Sequence, residues 1–190
     1  MKLLFLLLLV SCAQQRLVVN KEYSTPYKDF EKVTVMKSSK TFSILRVTDS
    51  RKEKDSIGTG LTGVNYTKTP YLLSTPLEEY LSNYFTESLE KRNVVVTSES
   101  ADVQLEIVIN ELWVDELIEK HQPERAKCKI SMTVYSKIDN TTWSGNYWTE
   151  IISPGDMGDG TEKLDPTFAS CLNMVFEKFI TDNSFSSLVK

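Results

Sequence analysis

Histidine is almost missing from this chain: His121 stands alone among 190 residues. A single imidazole excludes zinc sets built on several histidines. It also leaves any Ser–His–Asp arrangement one candidate base, and no spacing around His121 supports one. Cysteine is scarce, with three residues, so the chain is not a disulfide-stapled miniature scaffold. Seven glycines and six prolines are too few for a collagen-like or low-complexity polymer. There is no stretch of about 20 apolar residues, which excludes a helical polytopic membrane protein. Positive charge is not in excess either: 22 basic residues face 26 acidic ones, a formal net charge of −4. Chain-wide binding of nucleic acid is excluded on that balance. What is present is the composition of a globular domain, 41% hydrophobic and 25% charged, long enough to bury a core without metals or disulfides.

The first residues carry an address. Met1-Lys2 precedes the apolar run Leu3–Val10, and Ser11-Cys12 closes it. One basic residue, a short apolar stretch and a small residue at the cut form a secretory signal peptide. As a helix the run rises only about 12 Å, too short for a bilayer core of about 30 Å. Leu9-Val10-Ser11-Cys12 resembles the bacterial lipobox. By that resemblance Cys12 becomes the mature N-terminus and carries a diacylglyceryl thioether and an N-acyl chain, enough acyl groups for stable anchoring. Ala13 follows it, not the Asp that retains enterobacterial lipoproteins in the inner membrane, so the outer membrane is the expected address. The expected division is a signal peptide over 1–11, a lipidated N-terminus and tether over 12–31, and one domain over 32–190.

Periodicity supplies the elements. A short edge strand is expected near Lys32–Met36 and a buried strand over Phe42–Val47, followed by a loop running to Pro70. Thr75 reads as an N-cap, Pro76 as the first helical residue and Glu78 as the capping-box partner. Leu77, Tyr80, Leu81, Tyr84, Phe85 and Leu89 then form one apolar helical face, closed by Lys91-Arg92 and by Asn93 in a left-handed conformation. Val94–Thr97 reads as a strand. Val103, Leu105, Ile107 and Ile109 alternate with polar residues in a longer one. Two further strands, 127–136 and 141–152, pair around Asp139-Asn140 with partner numbers summing to 279. That register sets Cys128 against Ile151, Met132 against Tyr147, Ser136 against Trp143, and Lys129 against Glu150. Asp165-Pro166 opens a second helix with Phe168, Cys171, Leu172, Val175 and Phe179 on one side. The result is an α+β domain of order β-α-β-β-β-β-α, one mixed, mostly antiparallel sheet with both helices on its apolar face.

Several motifs invite chemistry. Gly58-Thr59-Gly60-Leu61-Thr62-Gly63 spells G-x-G-x-x-G, but no helix opens directly after it, so a flexible loop is expected in place of a phosphate cradle. Gly155–Glu162 is acidic, yet glycines fill two alternate positions where a calcium loop needs ligands, and a solvated turn is expected. No cofactor or metal is expected. Carboxylate-pair catalysis needs only acids, and 26 of them leave it open. No motif has a mechanical rationale for catalysis, so the expected class is non-enzymatic. Cys128 and Cys171 fall on apolar faces that pack together; they are either free buried thiols or, after export, a disulfide. Trp148 falls beside Ser131 on the polar face of the sheet. It is either covered by the N-terminal segment or, with Tyr135 nearby, part of a surface for a partner.

The order of landmarks resembles the YajG-type lipoprotein family of Gram-negative bacteria. The resemblance rests on the lipobox, the Asp/Arg element Val47-Thr48-Asp49-Ser50-Arg51 with Ile57-Gly58 after it, the amphipathic helix, and the long strand from Ala101-Asp102-Val103 through Leu112-Trp113-Val114-Asp115. A hairpin and closing helix complete it. It implies an outer-membrane lipoprotein of unassigned biochemical role, and its motifs include no catalytic signature. The expected function is that of a lipid-anchored, periplasm-facing module, held by the lipid on Cys12, that contacts another envelope protein. Related architectures in auxiliary lipoproteins of lipid-transporting systems and envelope-assembly lipoproteins imply an accessory role as the alternative, beside a lipid- or glycan-binding module. Asp49 and Arg51 would brace the loop after their strand or contact a ligand.

Overall fold

A computed structural model of the chain describes residues 16–19, 36, 38–63, 65–98, 100–118, 125–138, 141–153 and 161–190. The architecture is α+β: one mixed sheet with its helices on one face. The strands are β1 (Leu17–Val18), β2 (Phe42–Asp49), β3 (Gly58–Thr62), β4 (Thr67–Leu72), β5 (Val103–Leu117), β6 (Arg125–Ile138) and β7 (Thr141–Ile152). The helices are α1 (Leu77–Glu90), α2 (Thr161–Ile180) and the short α3 (Asn183–Leu188).

β5 is the spine. On one side it pairs with β6 along its whole length, antiparallel, and β6 with β7 in turn. On the other side β2 runs parallel to its first half and β3 meets its far end at Gly58↔Val114. β4 and then β1 extend the sheet beyond β3. Val103, Leu105, Ile107 and Ile109 all face inward and are buried. Strict alternation from there would turn Leu112 and Val114 to solvent. A bulge between Ile109 and Glu111 resets the phase, so Leu112 and Val114 stay buried.

The inner face is covered by aromatic packing. Phe85 of α1 meets Phe176 of α2 with ring centroids 5.2 Å apart. Phe179 stacks toward Phe185 of α3 at 4.6 Å, and Trp143 of β7 lies 4.9 Å from Phe185. Edge-on and tilted ring contacts of this kind add to the burial energy of each side chain. Arg92, fully buried at the end of α1, lies 4.8 Å from the Phe176 ring centroid and pairs with Glu177. It ties the two long helices together.

The hairpin register stands as expected: Cys128↔Ile151, Lys129↔Glu150, Ser131↔Trp148, Met132↔Tyr147 and Ser136↔Trp143. Asn93 takes φ 63°, closing α1. Other expectations need correction. The stretch to Pro70 is not a loop, because 58–62 and 67–72 form the β3–β4 hairpin. Its Thr-rich strands alternate too weakly to signal themselves. Gly58 is required there: a Cβ would sit 1.8 Å from the Val114 carbonyl oxygen, so only glycine lets β3 approach β5.

Val94–Thr97 makes one bridge, Val96↔Phe42, in place of a strand. Pro76, not Thr75, occupies the N-cap of α1, with ψ 143° and no side-chain cap. α2 begins at Thr161, and Pro166 lies inside it. The turns before that proline are held by tertiary bonds, Lys163 to Glu116 and Tyr71 to Asp165, which offset the hydrogen bond a proline cannot make. The expected edge strand near Lys32–Met36 lies outside the described residues except for Met36. The Asp139-Asn140 turn, His121 and most of Gly155–Glu162 lie outside them too.

Candidate interaction surface

The outer face of β5–β6–β7 is built from the polar members of three alternating strands. Lys127 bonds to Glu150 and Lys129 to Glu111, each at 2.9 Å. Lys129 and Glu150 are directly opposite in register, but the ion pairs form on either side of that position. The long lysine side chains reach the diagonal carboxylate and the neighbouring strand instead. Lys127 holds the Glu150 carboxyl below its ordinary value, and Glu111 raises the Lys129 ammonium. Further along, Asn110, Thr133 and Asn146 link the three strands by hydrogen bonds of 2.9 and 2.7 Å.

Three aromatic side chains interrupt this polar surface: Trp113 is half-buried opposite Lys129, and Trp148 and Tyr135 are exposed. Trp148 is 61% exposed and Tyr135 is 47% exposed. They share the outer face but are not neighbours: the Asn110–Thr133–Asn146 ladder runs between them, and four residues of β6 separate their rows, about 13 Å. Trp148 sits on the edge strand. Lys178 of α2 donates to its carbonyl at 2.7 Å and holds its ammonium 5.1 Å from the ring centroid. Cation and indole thus stand together at β7, the last strand of the sheet among the described residues. Sequence reading missed Lys178, because the helix that carries it meets this edge only in the folded chain. The N-terminal segment that could cover Trp148 lies largely outside the described residues.

The Asp/Arg element forms a separate, buried brace. Arg51 Nε and Nη2 donate to the two Asp49 carboxylate oxygens, both at 2.9 Å, and Nη1 donates to the Ser56 carbonyl at 3.0 Å. Both side chains are about 95% buried. Burial would raise the Asp49 carboxyl, but the Arg51 bonds and charge outweigh it and the group lies below its ordinary range. A bidentate pair whose remaining donor holds a loop carbonyl is a fastening for the turn after β2. A cleft of about 170 Å³ lies beside it, with Lys54 and Leu77 in its lining. Another of about 250 Å³ lies between Asp102 and Lys137. Both are smaller than pockets that usually hold organic ligands.

Cys128 and Cys171 are brought together as free, buried thiols, and burial with the contact to Cys171 pushes the Cys128 thiol up. A buried ion pair, Lys163–Glu116 at 2.9 Å, accompanies them on the inner side, where Glu116 also accepts the Leu61 amide. The G-x-G-x-x-G run is a strand and turn here, with Gly63 at φ 69°, and α1 begins only at Leu77. Among the described residues no group of three or more ligating side chains gathers. No described helix is long and apolar enough to cross a membrane. Cys12 lies outside the described residues.

A model of the family described as uncharacterized lipoprotein, Lipoprotein_16, matches residues 31–190. This chain belongs to that family, the YajG lipoproteins. The structural match to protein XCC0632 from Xanthomonas campestris, of family DUF330, has TM-score 0.52 and 12% identity. It covers 86% of this chain and 91% of that one. At such identity the likeness is one of fold. The hypothetical protein CT253 from Chlamydia trachomatis matches at TM-score 0.43 and 8% identity, covering 78% and 96% of the two chains. A further uncharacterized protein matches at TM-score 0.43 and 16% identity, covering 80% and 97%. No curated protein matches the chain. As a YajG lipoprotein it is an envelope protein by family.

Proposed function

We propose that the chain is a non-enzymatic, periplasm-facing interaction module, anchored in the outer membrane through acyl chains on Cys12 and contacting another envelope protein through the outer face of β6 and β7. The observation that carries this reading is Trp148, 61% exposed on a face where paired charges and hydrogen-bonded amides surround a few apolar side chains, Tyr135 and Ile152 among them. An indole left in water at a strand edge is the kind of anchor that gains most when a partner desolvates it. Tyr135 adds a second contact on the same face. Asp49 and Arg51 act in this reading as a brace for the fold, remote from the partner. Subunits of a lipid-transport or envelope-assembly system are the partners of the alternative, accessory reading.

The test is a pull-down of C-terminally tagged protein from gently solubilised membranes, comparing the native chain with Cys12→Ala and Trp148→Ala. An envelope protein recovered with the native chain is expected to be lost with Trp148→Ala at unchanged thermal midpoint. Equal recovery by Trp148→Ala removes this face from the interaction. Cys12→Ala separately reports on the anchor, since it is expected to move the chain to the soluble fraction.

A further inference from the structure

Strand β1 begins five residues after Cys12, the expected site of the lipid. It pairs parallel to β4, Leu17↔Tyr71 and Val18↔Leu72. That pairing fixes the direction of β1: of its two residues, Leu17 lies nearer the β3–β4 turn. Five residue steps separate Cys12 from Leu17, and a fully extended chain spans about 17 Å in that length. β4 takes four steps, about 13 Å, from Tyr71 to Thr67, and Tyr66 in the turn comes next. An acylated Cys12 can therefore lie no further beyond β1 than about the level of that turn.

The same end of the sheet exposes apolar side chains. Tyr66, in the turn, is 54% exposed, and Ile118, at the end of β5, is 50% exposed. The register Gly58↔Val114 and Thr59↔Asp115 carries Thr62 to the level of Ile118, so both residues stand at one end. Lys68 is exposed on β4 next to the turn. A tyrosine, an aliphatic side chain and a lysine at a tip are the side chains that settle at a headgroup boundary. The opposite end of the sheet, where Val95 is 63% exposed, lies about 50 Å away along the fifteen residues of β5.

We infer that the β3–β4 turn, through Tyr66 with Ile118 and Lys68, docks on the headgroup layer of the bilayer that holds the Cys12 lipid. The domain then stands upright, its β2 and α1–β5 end directed away from the membrane. This rests on the lipid anchor proposed above and adds an orientation to it.

The experiment uses the full lipidated protein in vesicles of phosphatidylethanolamine and phosphatidylglycerol doped with nitroxide-labelled lipid. A fluorophore is placed on Tyr66→Cys or on Val95→Cys by native labelling, which spares the buried Cys128 and Cys171. Lys68→Cys provides a second position should Tyr66→Cys fold poorly. Quenching at 66 or 68 several-fold above that at 95 is expected. Equal quenching at both ends, greater quenching at 95, or none at either overturns the orientation. Mass spectrometry of the mature N-terminus keeps the two readings apart. A lipidated chain without quenching at the turn sinks the docking alone, whereas an unmodified Cys12 sinks the anchor and the docking with it.

Discussion

At the scale of single residues, the pair Asp49–Arg51 is the most exacting. Both oxygens of one carboxylate and three nitrogens of one guanidinium are engaged inside the protein. Removing the carboxylate leaves a buried cation without its counter-ion, a loss of about 3–5 kcal/mol. Asp49→Ala is expected to lower the urea midpoint accordingly. The folded-state pKa of Asp49 lies below its ordinary 3.8. The stability it confers is therefore present above that value and is lost as pH falls through the lower folded value. Unfolding scans across this acid window are expected to show a flatter pH dependence for Asp49→Ala than for the native chain.

The thiols make a second residue-scale test. Cys128 and Cys171 are free and buried, and a thiol kept protonated by burial reacts slowly. The native protein is expected to resist alkylation at neutral pH. In denaturant, equal thiol counts with and without reductant are expected, and a lower count without reductant would mark a disulfide formed after export.

At the scale of elements, legibility followed periodicity. β6 and β7 announced their register because aliphatic and polar residues alternate along both and a one-residue slip would turn every side chain over. α1 was legible for the same reason at helical spacing. The β3–β4 hairpin was not, since Gly58, Gly60 and four threonines between 59 and 69 carry almost no alternation. What makes β3 a strand is its neighbour: the Gly58 backbone lies against Val114 where no side chain fits. Gly58→Ala is expected to destabilise the fold by more than the usual 0.5–1 kcal/mol change in glycine propensity, and amide exchange is expected to rise first in β3 and β4. A uniform rise across β5–β7 would mean that the sheet depends on this contact as a whole. The start of α2 before Pro166 was hidden for a related reason, because the bonds that hold its first turns come from Glu116 and Tyr71, distant in sequence.

At the scale of the whole molecule, a long sheet stands beside a short lead to the expected lipid. β5 alone spans about 50 Å, while the five residue steps from Cys12 to Leu17 can reach at most about 17 Å. With a lipid on Cys12, the end at the β3–β4 turn is within reach of the bilayer and the Val95 end is not. A variant with a long flexible Gly/Ser insert between Cys12 and Leu17 is expected to remain membrane-bound in fractionation yet lose the preferred quenching at Tyr66. Retained quenching would mean that the turn holds the surface by its own contacts, and release to the soluble fraction would mean that acylation had failed.

The sequence by itself determined the α+β class, the apolar face of α1, and the pairing of β6 with β7. Each of these is local chemistry or a repeating spacing, readable wherever it occurs. Only the tertiary structure decided that a glycine- and threonine-rich stretch is a hairpin, that Lys178 meets Trp148, and that β1 joins the sheet beside β4. Those features depend on which surfaces the core brings within a few ångströms of each other. No pattern within one segment encodes a contact whose other half lies on a distant one.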